Sequence, residues 1–464
     1  MLKIIDKSLL SIGEGKTRLS LFSLAIPIFF ENIGVHLISM IQSALAARYA
    51  EGFFVTPMNI ASNTAALITS VASMISTGMS ILLSIYLGKK DDASSRELVG
   101  TSLIALVLLR FAVFGVAFVF ARPIMAYQGL LTEENSQMLP HAIAYFRGLC
   151  VINVFSAISV VLSGALRCYG AARVGFWASI VSGLVTLVLT YVVFYVFETE
   201  RSLAIGRFIA IGGVAALSAI VINVVGFVLK KIPISFKPNG LLLKKIVAIG
   251  FPATVSVVMY SLSNVIAGAI CVNLSNDMFQ AKTFVTSVVY FTYVFGFSIG
   301  QANSLMVGMG CGMGEFDRVD RLFRQNLKIT LFTNFVFSLV VAVLGKYLLR
   351  IFTDSPSIIA IGSVVFFIDI AVELGRGMNH LGQYGLNATG DTVYTTVVSV
   401  VSCWACSVGV GYLLGVVAGL GIYGLWIASA VDELFRGTLY LVRWKKGDWH
   451  KSFIKEERTI SRSV

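Results

Sequence analysis

The chain has 464 residues, of which 57% are hydrophobic and 13% charged, roughly half the charge of an ordinary soluble domain, where about 25% is usual. That balance excludes a soluble globular fold and predicts a polytopic membrane protein. The net charge of +12 would suggest nucleic acid in a soluble protein. Here, however, the cations fall in every second loop, the positive-inside pattern of a multi-pass chain, so no nucleic-acid partner is expected.

The opening MLKIIDKSLLSIGEGKTRLS lacks a long apolar stretch followed by a cleavage site, so a short interfacial helix is expected there rather than a cleaved leader. Apolar blocks long enough to cross a bilayer as helices then recur about twelve times. They cover residues 19–44, 54–87, 97–120, 139–162, 172–197, 206–229, 246–274, 280–309, 326–348, 358–386, 393–416 and 420–442. Basic clusters (Lys89, Lys90 and Arg96; Lys230 to Lys245; Arg318 to Lys328; Arg443 onward) mark one side of the membrane. Arg122, Arg201 and Arg350, with Glu133, Glu134, Glu198 and Asp354, mark the other. Both termini are thereby assigned to the cytoplasm.

An internal repeat organises these spans. LAIP (24–27) recurs as IGFP (249–252), GKKD (88–91) as GEFD (314–317), LTEE (131–134) as FTDS (352–355), and ALRCYGAARV (165–174) as GLNATGDTVY (385–394). The expected organisation is an N-terminal lobe of six spans (1–228), a basic linker (229–245), a C-terminal lobe of six spans (246–442) and a basic tail (443–464). The fold class is therefore all-α, with two pseudo-symmetric six-helix lobes around a central cavity, an architecture of carriers that work by alternating access.

Ionisable groups at bilayer depth are costly and are functional candidates by default. In span one, Glu31 follows Pro27 by one turn with no cation near it in sequence; buried beside Phe29, Phe30 and Ile33, it would be desolvated and suited to loading a proton. His36 and Gln42 lie further along, the first most simply a core histidine and the second a neutral contact. Arg110 sits midway along span three with no carboxylate nearby and is expected to bridge to a neighbouring helix or its carbonyls. Lys282 opens span eight, where snorkelling to the interface would satisfy it. Gln301, deep in the same span among glycines, is a candidate substrate or ion contact.

Span ten carries the densest signal, DIAVELGRGMNHLGQYGLNATGD (369–391). Asp369, Glu373, Arg376, His380, Gln383 and Asn387 are spaced by four, three, four, three and four, which puts all six on one helical face. Glu373 and Arg376 can pair within the helix, either as a structural ion pair or as a cation site that the arginine closes when empty. Asn379 beside them would lend a carbonyl oxygen, and Asp369, near the outer end, is expected to be solvated. With the repeat aligned at an offset of 221, Glu373 falls opposite Ile152 and Arg376 opposite Phe155, so the seam is expected in the C-terminal lobe alone, facing Glu31 across the cavity.

Cys403 and Cys406 form C-x-x-C on an apolar helix without partner ligands and are read as packing residues. The glycine-rich GMGCGMGEFD (308–317) lacks the strand and the GK[ST] of a phosphate loop; its glycines are expected to let helices approach or to end a span. No H-E-x-x-H, paired aspartates or Ser–His cluster points to an enzyme.

Taken in order, LAIPIFFENI, ISTGMSILLSIYLGKKD (75–91), FQAKTFV with FGFSIGQANSLMVG (279–308), the E-x-x-R-x-x-N pattern of span ten and DELFRGTLYLVRWKKGDW (432–449) resemble the multidrug and toxic compound extrusion (MATE) transporters, in a bacterial branch. The resemblance implies cation-coupled antiport at a bacterial inner membrane. H⁺ or Na⁺ would enter, the latter near Glu373, as an amphipathic, cationic small molecule leaves. It implies a functional monomer in the lipid bilayer and no cofactor beyond the coupling ion. It also gives Lys282 a cavity role. The position matching the family's first-span aspartate is Gln42, and span seven contains no carboxylate, which departs from the family's pattern. A flippase of lipid-linked precursors on a related fold is the alternative reading.

Overall fold

A computed structural model describes residues 6–49, 53–130, 136–197, 200–447, 449, 450 and 453; Glu133, Glu134, Glu198 and most of the basic tail lie outside them. A backbone at bilayer depth has no water to bond, so it must close its hydrogen bonds locally, and the long apolar runs become helices. They are α1 (Leu21–Arg48), α2 (Val55–Ala72), α3 (Met74–Gly88), α4 (Asp92–Val119), α5 (Ala121–Met125), α6 (Leu139–Cys168), α7 (Ala172–Tyr191), α8 (Ala204–Leu229), α9 (Gly240–Leu274), α10 (Asn276–Gly312), α11 (Phe316–Leu349), α12 (Pro356–Ala388), α13 (Thr392–Ser402) and α14 (Gly421–Lys445). Among the described residues eleven spans are long and apolar enough to cross a membrane. The twelfth expected span is α14, 25 residues long, which carries Asp432, Glu433, Arg436 and Arg443 and so falls short of that composition.

Two expected spans are not single helices. The second is interrupted at Ser73, whose N–H and Oγ both turn back to the Ser70 carbonyl, giving α2 and α3. The eleventh begins as α13 and continues through π-helical turns at Cys403–Val410 and Leu413–Val417. Pro27 and Pro252 lie inside α1 and α9, the repeat-related first helices of the two halves. Residues 6–20 form a short 3-10 turn at Lys7–Leu10 and a two-residue β-hairpin (β1, Ser11–Ile12; β2, Leu19–Ser20). Ile12 and Leu19 are fully buried, and Asp6 exchanges two hydrogen bonds with the Gln325 side chain of α11.

The described chain divides into two compact units. The N-terminal unit holds residues 27–83 and 91–250; the C-terminal unit holds the chain up to Ile26, residues 84–90, and the chain from Phe251 onward. In the N-terminal unit α6 packs on α2, α4 and α8 around Phe54, Phe114, Phe146 and Phe208. In the C-terminal unit α12 packs on α10, α11 and α14 around Val285, Phe366, Val372 and Trp426. In both, the helix that bears the polar seam is the central one.

Candidate functional site

The predicted seam of α12 exists and is turned inward. Glu373 is fully buried, Asp369 and Asn379 are 2% exposed, and the interactions along the seam come largely from α14, which sequence reading did not identify. Arg376 donates to Glu373 Oε1 at 2.5 Å and stands 3.7 Å from Glu433 Oε1. Arg436, one turn beyond Glu433, reaches Glu433 Oε1 at 3.1 Å and Asp432 Oδ2 at 2.6 Å. Asn379 Nδ2 donates to Glu433 Oε2 at 2.6 Å, and Ser402 Oγ to Asp432 Oδ1 at 2.5 Å. The rings of Tyr293 and Tyr260 lie under the Arg376 and Arg436 guanidinium groups at 5.3 and 5.5 Å. Asn379 thus serves this network as a donor through its amide nitrogen, where a carbonyl ligand was expected. Asp369 is not solvated: it accepts from Trp426 Nε1 at 2.9 Å, because α14 covers the outer end of α12.

Close approach of two backbones makes the network possible. A Cβ on Gly375 would lie 2.8 Å from Glu433 Cβ, and one on Gly437 2.6 Å from Met378 Cβ. Small residues at a helix crossing let the axes approach, and here they bring the E-x-x-R of α12 against the D-E-x-x-R of α14. The signal for α14 was in the sequence: Asp432, Glu433 and Arg436 repeat the i,i+3/i,i+4 logic of Glu373 and Arg376. The result is four buried carboxyl groups, with Glu373, Asp432 and Glu433 paired to two guanidinium groups and Asp369 held by Trp426. Among the described residues Glu373 Oε2 has no hydrogen-bond partner.

In the N-terminal unit the expectation for Glu31 is corrected. It is not an unpaired carboxylate: Arg167, at the C-terminal end of α6, places one guanidinium nitrogen 2.7 Å from both its oxygens, and Ser179 of α7 donates at 3.2 Å. The partner is 136 residues away, so no local spacing announces it, and Arg167 reads in sequence as one more positive-inside charge. Phe30, expected to bury Glu31, is 52% exposed. Arg110 behaves as expected: 2% exposed, it donates to the Asn153 carbonyl at 2.9 Å and Ser156 Oγ at 2.7 Å on α6.

Backbone landmarks fix the register of the repeat and correct the seam's apparent one-sidedness. Gly170 and Gly390, ending α6 and α12, both adopt positive φ, +72° and +86°, a conformation that favours glycine; they are 220 residues apart, not 221. At that offset Asn153 stands for Glu373, Ser156 for Arg376, Ser163 for Gln383 and Arg167 for Asn387. α6 therefore carries a seam of its own. Likewise Lys90 (φ +58°) and Gly314 (φ +77°) precede α4 and α11 and lie 224 residues apart, as do Arg110 and Asn334. The contacts follow the same pairing: Arg110 donates to the carbonyl of Asn153, and Asn334 Nδ2 donates to the carbonyl of Glu373 at 3.0 Å.

Of the remaining predicted residues, His380 interacts electrostatically with Glu433, Arg376 and Arg436. His36 and Gln42 are half-buried on α1. Lys282 is half-buried on α10, its Nζ 3.7 Å from where a Cβ on Gly268 of α9 would sit. Gln301 hydrogen-bonds Tyr384 of α12, and the His380 ring is surrounded by Tyr293, Phe297 and Tyr384. Among the described residues no three His, Cys, Asp or Glu side chains are grouped to hold a metal. All six cysteines are free.

The MatE family model matches residues 27–192 and 252–413. The chain is 25% identical over 438 residues to the uncharacterized transporter YisQ of Bacillus subtilis, covering 93% of this chain and 94% of that one. It is 21% identical over 448 residues to a probable multidrug resistance protein NorM of Thermotoga maritima, covering 94% and 93%. Its fold matches a crystal structure of the Vibrio cholerae MATE transporter VcmN with TM-score 0.84 at 17% identity, over 92% of this chain and 96% of that one. It also matches a MOP superfamily transporter from Pyrococcus furiosus with TM-score 0.78 at 15% identity, over 95% of each chain. Two halves matched by one family model, multi-pass helical architecture and full-length relatives together make this chain a member of the MatE family of membrane transporters.

Proposed function

We propose that the protein exports amphipathic, cationic small molecules across a bacterial inner membrane by antiport with H⁺ or Na⁺, acting as a monomer with both termini in the cytoplasm. One observation carries the coupling: four carboxyl groups are buried on α12 and α14, of which Glu373, Asp432 and Glu433 pair with two guanidinium groups while Asp369 is held by Trp426. Fully ionised, the network holds two uncompensated negative charges at bilayer depth, where an unpaired charge is expensive. A proton or cation entering it is therefore bound strongly, and its release can be linked to a conformational change. Glu373 and Glu433 are the coupling carboxylates in this reading. Arg376 lies between them and competes with the incoming cation; Asn379 holds Glu433, and Asn334 holds the Glu373 backbone. The names of the NorM relatives support a drug-like cargo, and the aromatic faces of Tyr260 and Tyr293 suit organic cations.

Proteoliposomes given imposed H⁺ or Na⁺ gradients and a fluorescent organic cation test the reading. Gradient-driven cation movement, lost in Glu373→Gln and Glu433→Gln, is the expected result. Absence of movement under either gradient overturns it and favours flipping of lipid-linked precursors.

A further inference from the structure

Among the described residues, the other three deep arginines each face a carboxylate: Arg167 faces Glu31, Arg376 faces Glu373 and Glu433, and Arg436 faces Asp432 and Glu433. Arg110 does not. It donates to the Asn153 carbonyl and the Ser156 hydroxyl, its Nε has no hydrogen-bond partner, and among the described residues it is the largest fully buried side chain. A guanidinium cannot shed its proton to escape the cost of burial, so it holds a full positive charge against neutral oxygens alone. The groups around it are polar and only half-buried: Thr69 of α2 donates to Asn153 Oδ1 at 3.2 Å, and Asn153 and Ser156 lie on the seam of α6. The buried guanidinium is thus lined by half-buried polar groups of α2 and α6.

The repeat gives this position its meaning. Arg110 occupies the place of Asn334, and its acceptor Asn153 the place of Glu373. Where the C-terminal unit has an acid-rich network, the N-terminal unit has a bare cation. We propose that the N-terminal unit binds a monovalent anionic group at Arg110, beside Thr69, Asn153 and Ser156. The group is either the carboxylate of a zwitterionic substrate or a free halide. The inference rests on the transport reading above and narrows its substrate class: cargo pairing an organic cation with one carboxylate is favoured over a bare cation.

The test uses the full-length protein in proteoliposomes, wild type beside Arg110→Gln and Arg110→Lys. The probes are a fluorescent aromatic cation and the same fluorophore bearing one added carboxylate, in chloride and in gluconate. If the substrate supplies the anion, Arg110→Gln raises the ratio of the zwitterion's KM to the cation's by about tenfold or more, the scale of one lost charge-assisted hydrogen bond, and Arg110→Lys largely restores it. If a halide supplies it, wild-type transport slows when gluconate replaces chloride, and Arg110→Gln loses that dependence. An unchanged ratio together with no halide dependence overturns the proposal.

Should Arg110→Gln fail to fold, the melting temperature of the wild-type protein in detergent decides. A rise with chloride or the zwitterion over gluconate supports the site, and no rise overturns it. The same measurement stands if the wild type moves neither probe, an outcome that sinks the transport reading but not anion binding.

Discussion

The two units answer the same structural problem with opposite charge. In each, a central helix carries polar residues spaced to lie on one face, and a neighbour's side chain donates to a carbonyl at the equivalent point of that seam, Asn153 or Glu373. In the N-terminal unit the donor is charged and the seam around it neutral; in the C-terminal unit the donor is neutral and the seam charged. In the N-terminal unit the half-buried carboxylate of Glu31 is matched by Arg167. In the C-terminal unit α12 and α14 gather four buried carboxyl groups around two guanidinium groups. The equivalent backbone contact is present in both units, while the charges at the equivalent positions differ.

This contrast can be broken experimentally. The largest effect belongs to Arg436→Leu, which strands Asp432 and Glu433 without their guanidinium; losing one member of a buried ion network costs about 3–5 kcal/mol. Thermal unfolding in detergent should fall accordingly, and an unchanged melting temperature would mean the acids are already neutral. Next comes Gly437→Ala: its Cβ would meet Met378 Cβ at 2.6 Å, and overpacking of that kind costs about 1–3 kcal/mol. It should also lower transport by prising α14 from α12, so a fully active variant would refute the role given to that contact.

Glu373→Gln tests coupling rather than stability. Gradient-driven transport should drop roughly tenfold or more while the protein still inserts and purifies. A Glu31–Arg167 double-mutant cycle sharpens the comparison from the other side. This pair is partly exposed, at 14% and 22% for the two side chains, so a coupling energy of about 1 kcal/mol is expected in stability. A coupling as large as that of the α12–α14 network would erase the distinction between the units.

The smallest effect lies at the start of the chain. Hydrogen bonds from the Ser8 hydroxyl and N–H hold the exposed Asp6 carboxyl below its ordinary range. A depressed pKa in the folded state means the contact is intact at neutral pH. It is lost only as pH falls through that lowered value, so the protection of the Ser8 amide against hydrogen exchange, measured relative to its intrinsic rate at each pH, should fall in acid and not near neutrality.

Much of this molecule is legible in its residues. Runs near twenty apolar residues must become helices in lipid, because no other local structure closes every backbone hydrogen bond. The spacing from Asp369 to Asn387 sets one polar face, because side-chain direction on a helix is a local property. The repeat was visible as well, though a slip of one residue hid the seam of α6 and made Asn153 and Ser156 look like Ile152 and Phe155. What the sequence could not decide was which charge meets which. Glu31 finds Arg167 across 136 residues, and Asn379 finds Glu433 across 54. Those meetings depend on how closely two helices approach, and that distance is fixed by small residues such as Gly375 and Gly437 at a crossing. A helical face is written in spacing alone, whereas its partner is chosen by packing, so the paired Glu31, the bare Arg110 and the acid-rich α12–α14 network emerged only with the tertiary structure.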